Sequence, residues 1–355
     1  MKRRNLLPLT FFAFLPIFTV IAFFNVSCKN GVAAAAKISI NTNVSLNSIP
    51  VPGNFTKLQT AGTGLPDLPV YIPSRVINLN GSHDTVISGI SINAGKVPAI
   101  NLINCYNVRI TGNKLYNSTD VGIQLFNCKN ITIENNFFTN LSTGVYAVQI
   151  TEGGIVVNNN QFLNMKGPFP RGQFVQFDTV SGPGCSISYN KGENIFGQSY
   201  PEDAINLYKS NGTADSPIKI TGNWIRGGGP SKSGGGIMLG DNGGSFETAS
   251  DNILVDPGQY GMAIAGGDHN SIVNNLVYGK SQHFTNVGVY TRGTYGYKCT
   301  NSAISGNKVK FINDENYEND DWIGPGNPRP AGWETNIFGA DINASILPPV
   351  IITSN

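Results

Sequence analysis

Histidine is almost missing from this chain: His83, His269 and His283 are the three in 355 residues, and they are scattered. That argues against a His-based metal site. Cysteine is nearly as scarce, and none of the five forms a C-x-x-C pair, so no zinc site is implied. Only 13% of the residues are charged, 24 basic against 22 acidic. There is no basic stripe, which excludes nucleic acid as a partner, so any anionic ligand must be held by locally placed Lys or Arg. What the chain has in quantity is turn formers, 42 glycines among them. Low charge with many turn formers suits a stacked all-β solenoid, where each coil adds an apolar slice to the one beneath.

A repeat supports this. Asn113, Asn136, Asn160, Asn190, Asn223, Asn252, Asn275 and Asn307 recur about one coil apart, behind short apolar alternations such as Val108-Arg-Ile110, Ile131-Thr-Ile133 and Ile218-Lys-Ile220. Strand then turn in one register predicts a parallel β-helix, with the Asn series forming a ladder in the tight turns. Residues 28–75 read as a linker and N-terminal cap, 76–311 as a single-domain all-β helix, and 312–355 as a C-terminal cap and tail. Cys105 and Cys128, 23 residues apart, are expected to stack as free thiols on successive coils.

A second strand aligns across coils as Ala99-Ile-Asn-Leu102, Gly122-Ile-Gln-Leu125, Ala147-Val-Gln-Ile150, Phe174-Val-Gln-Phe177, Ala204-Ile-Asn-Leu207, Gly236-Ile-Met-Leu239, Gly261-Met-Ala-Ile264 and Val287-Gly-Val-Tyr290. Period two sends Ile100, Ile123, Val148, Val175 and Ile205 inward and leaves Asn101, Gln124, Gln149, Gln176 and Asn206 as an outward polar column. Two readings stand for the column. The amides hydrogen-bond the hydroxyls of an extended sugar chain, or they hydrogen-bond one another along the stack.

At the N-terminus, Lys2, Arg3 and Arg4 precede an uncharged run from Leu6 to Phe24, which reads as a signal peptide over 1–27. The chain is expected to be exported, at the cell surface, in the outer membrane or secreted. Val26-Ser27-Cys28 resembles a lipobox with Cys28 as the lipidation site, although Asn25 stands where such motifs carry Leu. Cleavage within Ala33 to Ala36 is the rival, and a membrane span is weakened by Pro8 and Pro16. Losing residues 1–27 removes three positive charges from the +2 total, leaving −1.

The turn asparagines are 23 and 24 residues apart early, then 30, 33 and 29 from Asn160 to Asn252. Extra residues in a solenoid become loops, and the insertions 165–173, 193–203 and 227–235 all enter the amide-lined strand. They bracket the coil Tyr200-Pro-Glu-Asp-Ala-Ile-Asn-Leu-Tyr-Lys209. There Asn206 and Tyr208 are expected outward, Asp178 directly below Tyr208, and Lys209 in one column with Thr179, Asp241 and Arg292. The outward placement of Lys209 requires the strand to bend at that residue, because a buried unpaired lysine is far more costly. Arg171 and Arg226 come from neighbouring coils or loops. Lys209, Tyr208 and Arg226 are the catalytic candidates. Arg171, Gln149, Gln176, Asp178, Asp203, Asn206, Asp241, Tyr260 and Arg292 are the substrate-binding ones.

These stretches, Arg171-Gly-Gln-Phe-Val-Gln-Phe177, Pro201-Glu-Asp-Ala-Ile-Asn-Leu-Tyr-Lys-Ser210 and Gly229-Pro-Ser-Lys-Ser-Gly-Gly-Gly236, resemble the pectate-lyase-like right-handed β-helix superfamily. The resemblance covers roughly residues 76–311 and is greatest to the alginate lyases of polysaccharide lyase family 31. It implies β-elimination of an acidic polysaccharide; the chain itself is expected to be a monomer that touches a membrane only through the lipid anchor at Cys28. Arg226 would neutralise the uronate carboxylate, and Lys209 or Tyr208 would take the proton from the adjacent carbon. No resident cofactor is implied. Related lyases use calcium for the neutralisation, and Glu202, Asp203, Asp178 and Asp241 are the candidates for such a site, but no calcium-loop spacing is present. A glycoside hydrolase using two carboxylates, Asp203 with Asp241 or Asp178 with Asp203, is the alternative, and a non-catalytic glycan-binding β-helix the third reading.

Overall fold

A computed structural model describes residues 70–231 and 233–353. The signal segment, Cys28 and most of the expected N-terminal cap lie outside the described residues. Within these, parallel strands form three long sheets of eleven, ten and nine strands. Each coil visits them in fixed order. In one coil Tyr106–Thr111 belongs to the nine-stranded sheet, Lys114–Ser118 to the eleven-stranded sheet and Ile123–Phe126 to the ten-stranded sheet. This is a right-handed parallel β-helix with almost no helical residues.

The alternation read from sequence builds the lumen. Ile100, Ile123, Val145, Val175, Ile205, Ile237, Met262 and Val289 pair in register along the ten-stranded sheet, and all are buried. Phe138 and Phe162 stack at 4.7 Å in the same core. Where the nine-stranded sheet turns into the eleven-stranded one, the asparagine ladder runs as expected. Each Asn Oδ1 accepts both the backbone N–H and the side-chain amide of the Asn one coil earlier, from Asn113 through Asn307. Asn336 adds a further rung. The helix therefore continues past residue 311: Asp321–Ile323 joins the ten-stranded sheet and Ile337–Phe338 the eleven-stranded one. Its first described strand, Ile72–Ser74, also precedes residue 76.

One coil is out of register with the sequence alignment. Val145, not Val148, stacks on Ile123 and Val175, a slip of three residues. Tyr146 therefore takes the column position expected of Gln149, which lies instead near the end of strand Val145–Ile150, exposed, with φ 54°. The insertions connect the eleven-stranded to the ten-stranded sheet and pack on one another. A Cβ on Gly234 would come within 2.4 Å of Glu202 backbone, so that approach requires glycine. Cys105 and Cys128 are free and buried, and burial pushes the Cys128 thiol up to about 11.

Candidate functional site

The outer face of the ten-stranded sheet carries a rising column toward the strands' C-terminal ends: Val148, Asp178, Tyr208, Asp241. The next residue in these coils turns left-handed, with positive φ at Gln149, Thr179, Lys209 and Asn242. At Lys209 φ is 50°, which is the required bend, and its side chain is exposed. The residue above Lys209 is Asn242 rather than Asp241. Strand Ile237–Asp241 holds one residue more than its neighbour, with Asn206 opposite Met238 but Tyr208 opposite Asp241. This bulge at Leu239 and Gly240 moves Asp241 out of the turn and into the outward column.

Asp178, Tyr208 and Asp241 occupy successive rungs. Tyr208 Oη accepts the Asn242 amide at 2.6 Å, and the Lys209 ammonium lies 5.3 Å from the Tyr208 ring centre. Asp178 Oδ2 accepts the Tyr146 hydroxyl at 2.8 Å, and the Arg171 guanidinium stacks on the Tyr146 ring at 4.2 Å. Tyr146 was not among the expected residues. The signal was present in Gly144, which occupies the same slot as Gly122, Gly236, Gly261 and Gly288. A Cβ at Gly122 would meet the Gly144 carbonyl oxygen at 2.7 Å, so glycine fits the slot in this coil. Aligning the glycines places Tyr146 correctly.

The amides do not all face water. Gln176 donates to Asn206 at 2.8 Å, and Asn206, 4% exposed, donates from its Nδ2 to Asp203 at 2.7 Å and to Asp241 at 3.0 Å. With its oxygen and both amide protons engaged, Asn206 clamps two carboxylates rather than binding substrate. Asp203, 4% exposed, also accepts the Gly235 N–H and the Tyr260 hydroxyl. Tyr260 is 1% exposed, so it and Asp203 are supports beneath the site, contrary to the substrate contact expected of each.

Asp241 is half-buried. Burial raises its carboxyl to about 7, the Asn206 amide opposes this, and the neighbouring Asp203 and Asp178 add to it. Burial and the Glu202 charge likewise raise Asp203. Glu202 accepts the Ser231 and Ser233 hydroxyls at 2.9 and 2.8 Å. Among the described residues no three His, Cys, Asp or Glu side chains converge for a metal.

Arg226 is elsewhere. It belongs to strand Trp224–Arg226 of the eleven-stranded sheet, pairs with Glu193 at 3.5 Å, and donates to the Pro348 and Pro349 carbonyls of the C-terminal tail. Its charge is committed there, so it does not neutralise a substrate at Lys209. Arg292, after strand Val287–Thr291, lies 6.0 Å from the Trp322 ring centre. Tyr295 is partly exposed with φ 52°; its partial burial raises the hydroxyl to about 12, and nearby Asp241 adds to this. A groove of about 550 Å³ extends from Lys209 along Asn211, Asn242, Asp268, Tyr297 and Lys298.

The arrangement offers a carboxyl protonated near neutrality, a second carboxylate two rungs away, aromatic rings and two cations on one open face. Among solved structures, the chain is similar to the catalytic unit of a thermostable GH87 alpha-1,3-glucanase from Streptomyces thermodiastaticus strain HF3-3, at 13% identity and a TM-score of 0.43. That likeness covers 66% of this chain and 50% of the other, so the chain spans half the length of that catalytic unit. No curated protein shows significant similarity to it. The family described as right handed beta helix region matches residues 74–277, more than half the chain, and with the coil-by-coil register above this protein belongs to that family.

Proposed function

We propose that this face cleaves a glycosidic bond in a polysaccharide by hydrolysis, with Asp241 as general acid and Asp178 as general base. The observation that carries the reading is the pair of carboxylates flanking Tyr208, one of them raised to about 7. Rungs about 4.8 Å apart put the two Cα atoms about 9.6 Å apart. Inverting glycosidases hold their carboxyl groups about 6.5–9.5 Å apart, leaving room for a water, and two side chains converging from this Cα separation would reach that range. Asp241 gives its proton to the glycosidic oxygen as the bond to the sugar breaks. Asp178 takes a proton from the water whose oxygen forms the new bond. The Tyr146 and Tyr208 rings offer apolar faces to sugar C–H groups, and Arg171 and Lys209 donate to hydroxyls or carboxylates.

The cations favour a second reading, β-elimination of a uronate polymer such as alginate. Arg171 replaces Arg226 in the neutralising role, and Tyr208 or Lys209 removes the proton. Incubation with alginate, pectate and neutral glucans separates the two readings. New reducing ends without ultraviolet absorbance support hydrolysis, and a 4,5-unsaturated product supports elimination. No cleavage of any glycan overturns both.

A further inference from the structure

Glu247 is a carboxylic acid inside the solenoid. It begins strand Glu247–Ser250 of the nine-stranded sheet, is 0% exposed, and pairs with the core residue Ile218. Its Oε2 accepts the Gly240 N–H at 2.6 Å. Oε1 is buried with no hydrogen-bond partner among the described residues. Burial raises the acid well above the ordinary glutamate value.

The need for this acceptor follows from the bulge. Leu207 faces both Leu239 and Gly240, so the ladder has one N–H too many at this point. Gly240 takes φ 64°, which glycine adopts without strain, and its N–H is bonded from within. A buried N–H left unpaired would cost enough to favour a relaxed strand. Asn270 completes the corner, accepting the Glu247 N–H at 3.1 Å and donating to Gly244 and Gly266 carbonyls.

We propose that Glu247 is a positioning residue: by accepting the Gly240 N–H from inside the coil, it holds the bulge that turns Asp241 onto the outer face. This rests on the reading of Asp241 as the acid. Besides Glu247, the titratable groups around Asp241 are Tyr208 on the adjoining rung, Asp178, Asp203, Glu202, Tyr290 and Tyr295. None of these is altered by substitution at 247.

The test compares Glu247→Gln, which keeps an acceptor of the same shape, with Glu247→Met, which fills the lumen and accepts nothing. Carboxyl carbon NMR titration of Asp241 needs no substrate, so its result is independent of whether any glycan is cleaved. The Gln variant is expected to titrate as the parent chain does. In the Met variant the Asp241 midpoint is expected to fall by about one pH unit or more, as the carboxyl relaxes toward water. If the parent chain turns over a glycan, kcat of the Met variant falls about tenfold with KM little changed. An unchanged midpoint in the Met variant, or an equal displacement in both, overturns the proposal. Hydrogen exchange at Gly240 in the parent chain decides the matter if the Met variant does not fold. Core-like protection is expected, and rapid exchange overturns the cap.

Discussion

At the scale of single residues, the acids divide by what surrounds them. Asp241 keeps an open side and a proton near neutrality, so Asp241→Asn is expected to lower turnover by about a hundredfold or more while leaving the melting midpoint unchanged or higher. Steady-state rates and a thermal melt check this together. Asp203 has no open side, and its raised carboxyl is a stability term. Its proton affinity is higher folded than unfolded, so the stabilisation is full below the ordinary carboxylate range and is lost as pH rises through about 7. The melting midpoint should fall between pH 5 and pH 8. In Asp203→Asn it should start lower and fall less steeply, since Glu202, Asp241 and Glu247 are also raised and share the sign. A slope equal to that of the parent chain would remove Asp203 from this role. The chemical types of these residues were legible in the sequence. Which of them water reaches was not, because burial of Asp203 and Tyr260 depends on a loop and a strand 57 residues apart.

Among the elements, the turn ladder was the most legible feature, since identical residues at a coil's spacing can satisfy one another only by stacking. Asn190 accepts twice from Asn160 and donates to Asn223 and to the Val157 carbonyl. Asn190→Ala leaves the Asn160 amides and the Val157 carbonyl without this partner, and is expected to cost about 3 kcal/mol or more in urea unfolding. Asn127 belongs to an exposed ladder, with φ 49° and one bond to Asn104, and its Ala variant should lose only about 1 kcal/mol. Equal losses would mean that the inner ladder adds nothing beyond turn conformation. Less legible was the register of strand Val145–Ile150. Val148-Gln-Ile150 has the same polarity pattern as Val145-Tyr-Ala147, and period two fits either until the glycine slot distinguishes them. The bulge at Gly240 was not legible at all, because its extra residue falls inside a strand rather than in a loop.

For the whole molecule, the C-terminal tail is the least anticipated part. Leu347 and Ile351 are buried against Val255, beside Trp224, Ile253 and Tyr278, and the Thr353 N–H reaches Gln161 at 2.6 Å. The tail thus straps strands from Gln161–Leu163 to Leu276–Gly279 of the eleven-stranded sheet. Ending the chain at residue 342 should cost about 3 kcal/mol or more, from two apolar side chains lost to water. Arg226→Ala should lower the urea midpoint and leave turnover as it was, the reverse of what a catalytic arginine shows. Loss of turnover without loss of stability would return Arg226 to the site.

The strap also bears on which parts of the molecule open first. A solenoid unravels from its ends, coil by coil, because each coil is held only by its neighbours. Below the strand of Asp178 the described chain stacks four strands of the ten-stranded sheet, and above the strand of Asp241 it stacks three, ending at Asp321–Ile323. The exposed flank is therefore the C-terminal one, and the tail runs back from that end to fasten the coils carrying Asp178, Tyr208 and Asp241. Backbone amides of those coils should be among the slowest in the protein to exchange with heavy water, and cutting the tail should let exchange advance into them from the C-terminal side while the N-terminal coils keep their protection.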